Sequence, residues 1–513
     1  MAEDETPSRA LAKLSDQALA PARSLVERTL AFLGDRGDSA LAVPRRLIVA
    51  ADGSAMFTTI AAAIAIAVDD DEIVVEPGNY VEHLTIDRSI RISGHGPRDR
   101  IILAPPTAKA PGIAITAGAP HLSGFTIDAR ALDFWGDGGD QLILVTGGRP
   151  TIEDLDLQGG QGVQFSGPAT RGVLRDCLVR EVLGPGTDGI SPYYALRSIV
   201  WRKALLSITP NDDDGFRTIQ DDGPYDGESG AILICKGASP EIENNDVVAN
   251  GWAGITVVGA ETKPIIRSNR VHDGQWTGVL IYGGAAPIII RNVVEGNVLS
   301  AVTISGQSTR PVVRECTIRG NNPRGYLYVH GVLTGRERRR GTPSILVRRG
   351  ATPRIEDNQI DSSGWDAAIQ VQGRGTNPIV CDNRIDGRGC TGIRVRAGAA
   401  PTIENNEIRS GPHARSLIEV RGRESRPFVK RNQIHIGRGA GVLARRRAAP
   451  VIEGNTFIDE IRTFYNRGQV EVRAESGASP TVGRNFTFTW GTLHEAPYWE
   501  VARSSPDSGA ANS

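Results

Sequence analysis

With 513 residues, 60 glycines, 2 methionines and 5% aromatic residues, the chain has the make-up of a turn-rich β protein, not a helical one. A formal charge of −1 argues against a polybasic nucleic-acid binder and against an acidic tail protein; the basic side is nearly all arginine, with six lysines among 58 basic residues. Five scattered cysteines without CxxC spacing argue against a zinc site and a disulfide framework, and no apolar run approaches the roughly 20 residues of a membrane helix.

Residues 1–42 form the first distinct segment. Leu11, Leu14, Leu25, Leu30 and Leu33 recur at helical spacing and Pro21 interrupts them, which predicts two short amphipathic helices, folded onto the body or offered to a partner. The opening "MAEDETPSRALAKL" is acidic and lacks the basic-then-apolar layout of a secretory signal, so a cytoplasmic location is the expectation. The body is expected over 43–500 and a disordered tail, "RSSPDSGAANS", closes the chain over 501–513.

From Pro240 onward the sequence repeats. Pro240, Pro264, Pro287, Pro311, Pro353, Pro378, Pro401, Pro427, Pro450 and Pro480 mostly lie 23–26 residues apart, with longer gaps after Pro311 and Pro450. An aliphatic residue stands two positions after each, as Ile242 after Pro240. Asparagine stands five positions after each, as Asn245, except that Cys316 takes that slot once. Cys177 takes it too if Gly172 replaces the proline. A third short alternating segment follows, such as "GITVV" over 254–258, in which Ile255 and Val257 face one way and Thr256 and Val258 the other. Three short strands per repeat, divided by Gly, Asn and Pro corners, predict an all-β solenoid: a single-stranded right-handed parallel β-helix, with the short N-terminal helices before it. Weaker copies, "GAPHLSGFTI" (118–127) and "GRPTIEDLDL" (148–157), keep the apolar spacing without the asparagine. The asparagines are expected to stack at an inward corner, about 4.8 Å apart, and to serve structure more than ligand binding.

These repeats resemble the right-handed parallel β-helices of the pectin-lyase-like superfamily over about residues 45–490, and also the β-helix domain of F-box-type adaptors. "DGSAMFTTIAAAIAIAVDDDEIVVEPGNYVEHLTIDRSIRISGHG" (52–96) is similar to the opening of the pectinesterase family, which implies an Ala-rich helix covering the first coil. That family's aspartate pair, assisting glutamine and arginine do not carry over. Of its Q-D-T-L motif only Gln220 and Asp221 remain, and no D-F-I-F-G stretch is present.

Two insertions break the repeat. Residues 181–229 hold "TDGI", "NDDDGF" and "QDDGPYDGE", similar to fragments of polygalacturonase-like motifs. Asp188, Asp213, Asp222 and Asp226 are the candidate catalytic carboxylates, and 211–228 is a weak Ca2+ candidate; a solvated acidic loop is the blander reading. Residues 321–341 add Arg336 and Arg338 beside Tyr326 and Tyr328. No other cofactor and no metal ligand set is indicated.

Trp252, Trp276 and Trp365 each fall twelve residues after their proline, at one corner, where they either stack on sugar rings or pack the corner. The last outward position of the third strand reads Val258, Tyr282 and Ser305, then Arg348, Gln372, Arg396, Arg421, Arg445 and, continuing the count, Arg473. A guanidinium row on a flat sheet suits carboxylate, sulfate or phosphate; a salt-bridged solvated face explains it equally well. The expected role is a non-catalytic recognition or scaffold protein that holds an elongated or anionic polysaccharide or protein along one face. The alternative is a carbohydrate-active lyase, hydrolase, esterase or epimerase. Neither nucleic acid nor membrane is an expected partner.

Overall fold

The computed structural model describes residues 44–132, 141–182, 230–251, 253–321, 342–362, 366–411, 414–437, 439–459, 470–489 and 492–495. The expected helices of 1–42, the acidic insertion beyond Val182, the 322–341 part of the second insertion and the tail lie outside them.

One coil explains the rest. After Pro240, Glu241–Glu243 is extended, and the chain turns at Asn244, whose φ of 51 lies in the left-handed region. Asn245 fills the corner, and Asp246–Val248 and Ile255–Val258 form the other two sides. Ile242, Val247, Ile255 and Val257 point inward and are buried, each contributing roughly 1.5–3 kcal/mol by leaving water. Period-two alternation sends the intervening side chains outward.

Among the described residues, stacked coils yield three sheets. Sheet A has 16 strands, from Arg46–Val49 to Thr481–Val482; sheet B has 16, from Gly78–Val81 to Thr492–Glu495; sheet C has 14, from Leu84–Ile86 to Val470–Glu475. Every pair is parallel apart from the last of sheet B, where Phe486–Thr489 meets Thr492–Glu495 antiparallel. This is the right-handed parallel β-helix that the repeat predicts. Towards the N-terminal end of the described residues a helix, α1 (Ile60–Ile66), lays Ile60, Ala63 and Ile64 onto the core. Its first N–H groups are satisfied by Glu82, whose carboxylate accepts from Ile60 N and Ala61 N at 2.8 Å.

The asparagine column is a buried ladder at the corner between sheets A and B. Each Nδ2 donates to the next Oδ1 at 2.9–3.0 Å from Asn245 to Asn292 and from Asn358 to Asn485. Cys177 and Cys316 occupy the same slot, and their backbone N–H groups donate to Asn245 and Asn358. Leu155 and Phe125 fill it in the weaker copies, which shows why those copies lack asparagine without losing the corner.

A second ladder, of hydroxyls, runs along the turn from sheet C back to sheet A. From Cys235 to Arg445 the turns alternate in length: five residues separate Cys235 from Pro240, six Val258 from Pro264, five Tyr282 from Pro287, and so on. In the longer turns Thr262, Thr309, Thr376 and Ser425 each donate to the carbonyl four residues back. Each also accepts from a glycine N–H of the preceding shorter turn. The unit of the solenoid is therefore a pair of coils, concealed in the 23–26 spread of the proline spacing.

Candidate functional site

The outward face of sheet C carries two rows of side chains. Strand registers align Val258, Tyr282, Ser305, Arg348, Gln372, Arg396, Arg421, Arg445 and Glu475 in one. Arg473 does not continue it: it pairs with Leu443, in the neighbouring row of Gln370, Arg394 and Glu419. The short turn sets this register, since Arg445 and Glu475 each lie five residues before their proline.

The two halves of the face differ in chemistry. In the earlier coils Leu233, Cys235 and Val258 form a small buried cluster on the outer side, with Tyr282 packed against it. Tyr282 is thus held as much by apolar packing as by its place in the row. Arg348 follows at only 1% exposure, so it is not a surface cation as the count of outward positions implied. Trp276 sits half-buried at the corner leading into sheet C.

The later coils carry an ion-pair network centred on Arg394. Its Nε donates to Glu419 Oε2 at 2.9 Å, and its Nη1 contacts both Asp366 Oδ1 and Gln370 Oε1. Glu419 reaches on to Arg445 Nη1 at 3.5 Å, and Arg445 Nε lies 3.8 Å from Glu475. Beside it, Gln372 Oε1 accepts from Gln370 Nε2 at 3.0 Å and from Arg396 Nε at 2.7 Å. Carboxylate and guanidinium alternate from coil to coil, as the partial burial of the charges requires.

The electrostatics follow from this pairing. Burial pushes the Glu419 carboxyl up, but the Arg394 guanidinium outweighs it and holds the group below the usual carboxylate range. Burial likewise works against the charge on Arg394, and Asp366 and Glu419 more than compensate, raising it above the ordinary arginine value. Glu419 is therefore an anion at neutral pH. The arrangement can bind and orient anionic or hydroxylated groups.

Of the residues singled out from sequence, the structure brings Tyr282, Arg348, Arg396, Arg421 and Arg445 onto one row, with Trp276 at its corner. Asp188, Asp213, Asp222, Asp226 and Trp252 lie outside the described residues, as does the 211–228 Ca2+ candidate. Among the described residues no cluster of three or more His, Cys, Asp or Glu side chains could hold a metal ion. Asp366, Gln370 and Arg394 were missed. The signal for the last two was the alternating polar strands "IQVQ" and "IRVR", in which two outward positions are polar per strand, not one.

The sequence matches the family described as "Right handed beta helix region" over residues 218–385 and 343–485, together more than half of the chain. Solved structures with a similar chain trace include the A-module of the mannuronan C-5 epimerase AlgE6 from Azotobacter vinelandii, at 12% identity, covering 82% of this chain and 93% of that one, with a TM-score of 0.33. The catalytic unit of a GH87 α-1,3-glucanase from Streptomyces thermodiastaticus matches at 11% identity over 90% and 74% of the two chains, with a TM-score of 0.37. An alginate lyase from Paenibacillus sp. matches at 11% identity over 86% and 99%, with a TM-score of 0.29. At these values the likeness concerns the fold alone. A comparison with curated protein sequences found no match.

Proposed function

The chain belongs to the right-handed β-helix family, and on that premise we propose that it binds an elongated anionic polysaccharide along the outer face of sheet C and holds it without cleaving it. The observation that carries this reading is the alignment of Arg396, Arg421 and Arg445 on three consecutive strands. Strands repeat at about 4.8 Å, close to the length of one sugar ring with its linkage, so each strand offers one guanidinium per uronate. Gln372 adds an amide beside Arg396 in the same row. Glu419, held ionised by Arg394, fixes the positions of Arg394 and Arg445; it has no proton to give a leaving group.

Affinity electrophoresis against polygalacturonate and alginate tests binding, and release of reducing ends or unsaturated products tests cleavage. The triple variant R396E/R421E/R445E is expected to bind about 100-fold more weakly, at about 1 kcal/mol per contact. Equal binding by that variant removes the row from the argument. Turnover by the wild type that is lost in Asp213→Ala and Asp222→Ala replaces the binding role with an enzymatic one.

A further inference from the structure

Exposed cations outnumber carboxylates at one corner of this near-neutral chain. From Thr116 onward, most of the described turns that lead out of sheet C expose a cation, among them Arg149, Lys236, Arg310, Arg349, Arg374 and Arg446, while those over 116–120, 283–287, 397–401 and 476–480 carry none. Among the described residues of these turns the only carboxylates are Glu261 and Glu424. Each of those two is taken up within the corner itself, by Lys263 at 2.6 Å and by Arg374 at 2.7 Å. The corner adjoins the arginine row directly, as Arg348 is followed by Arg349 and Arg445 by Arg446 and Arg447.

The backbone of these turns sets where the cations stand. Lys236, Arg349, Arg446 and Arg447 have φ of 52, 56, 54 and 62, in the left-handed region that side chains avoid. In the slot of Arg447 the other short turns use glycine: Gly237, Gly284, Gly350, Gly398 and Gly477. Ala397, Ser476 and the two acids of the corner, Glu261 and Glu424, share this left-handed conformation, so it belongs to the turns and the cations take their positions from it.

We infer that this corner is a ridge that tracks a linear polyuronate parallel to the solenoid axis, so that binding strengthens with the length of the polymer. The inference rests on the polysaccharide-binding reading above and adds the path of the chain and the origin of its affinity. Cations repeated on most coils match a polymer that carries charge along its length, and contacts repeated along a rigid ridge add as linked sites do. None of these turns contains an aromatic residue, whereas a single-stranded nucleic acid calls for stacking platforms.

The test is fluorescence anisotropy with end-labelled galacturonate tetramer, octamer and dodecamer, and oligo(dT) of matched charge as the competing polyanion. The wild type is expected to bind the dodecamer at least about tenfold more tightly than the tetramer. In R349E/R374E/R446E that ratio is expected to collapse towards one, whereas R396E/R421E/R445E weakens every length. Arg447→Gly serves as a variant that cannot act through misfolding: its melting temperature rises while its affinity for the dodecamer falls. A length advantage retained in the ridge variant overturns the ridge and leaves the row in place. Absence of uronate binding at any length overturns the underlying reading and the ridge with it, and equal affinity for oligo(dT) overturns the choice of polymer.

Discussion

Replacing Asn406 by alanine tests whether the corner ladder holds the coils together. Asn406 Nδ2 donates to Val380 O and Glu404 O at 2.9 Å and to Asn432 Oδ1 at 3.0 Å. Its Oδ1 accepts from Asn383 N at 3.0 Å and from Asn383 Nδ2 at 2.9 Å. The residue is 1% exposed, so no water replaces these partners after truncation. At about 1 kcal/mol net per bond, and more for donors left buried and unmet, the loss should be about 4 kcal/mol. The converse change is available in the same column. Cys316 offers Asn292 only a sulfur, and Cys316→Asn restores a carbonyl acceptor, with an expected gain of about 1 kcal/mol. Urea unfolding followed by far-UV circular dichroism measures both, and in a solenoid the change is local to neighbouring coils. A loss below about 1 kcal/mol in Asn406→Ala, or destabilisation by Cys316→Asn, would show that core packing alone sets the stability.

The remaining predictions concern charge, thiols and turns. Because the folded-state pKa of Glu419 is depressed, its contribution to stability is complete above the ordinary glutamate value of 4.5 and is lost as the pH falls below it. Glu419→Gln should therefore be less stable at neutral pH by about 1–2 kcal/mol and show a flatter acid limb in thermal melts. An unchanged acid limb contradicts the pairing with Arg394. Burial pushes the thiols of Cys177 and Cys381 up to about 12 and that of Cys316 up to about 11, so these three should resist iodoacetamide in the native protein at neutral pH. Rapid native labelling detected by mass spectrometry contradicts their burial. Thr309→Val removes the bond to Ser305 O and the acceptor for Gly284 N, and is expected to cost about 1–2 kcal/mol in urea unfolding. No measurable cost means that the hydroxyl ladder is incidental.

The coil itself was legible because every turn of the solenoid repeats the same three decisions. Proline begins a strand, an aliphatic residue two positions on faces the core, and asparagine five positions on takes the corner. The outward row was legible as far as the register could be counted, from Tyr282 to Arg445. Counting forward along the strand then misplaced Arg473, since the final strand, Val470–Glu475, is longer than most and its register is set by the turn after it. The burial of Arg348 has no periodic signature: alternation says which way a side chain points, and not what lies over it. The Asp366–Arg394–Glu419 network joins residues about one coil apart, and Asp366 stands on a corner of irregular length, so no local pattern links them. The paired-coil unit was present in the alternating turn lengths and was masked by treating every repeat as equivalent.

Arginine-selective labelling with phenylglyoxal, read residue by residue by mass spectrometry with and without polygalacturonate, maps the contact surface directly. Protection is expected at Arg396, Arg421 and Arg445 on sheet C, while Arg267 and Arg314 on sheet A label at unchanged rates. Protection absent from the sheet C row, or equal on both sheets, would contradict binding along that face.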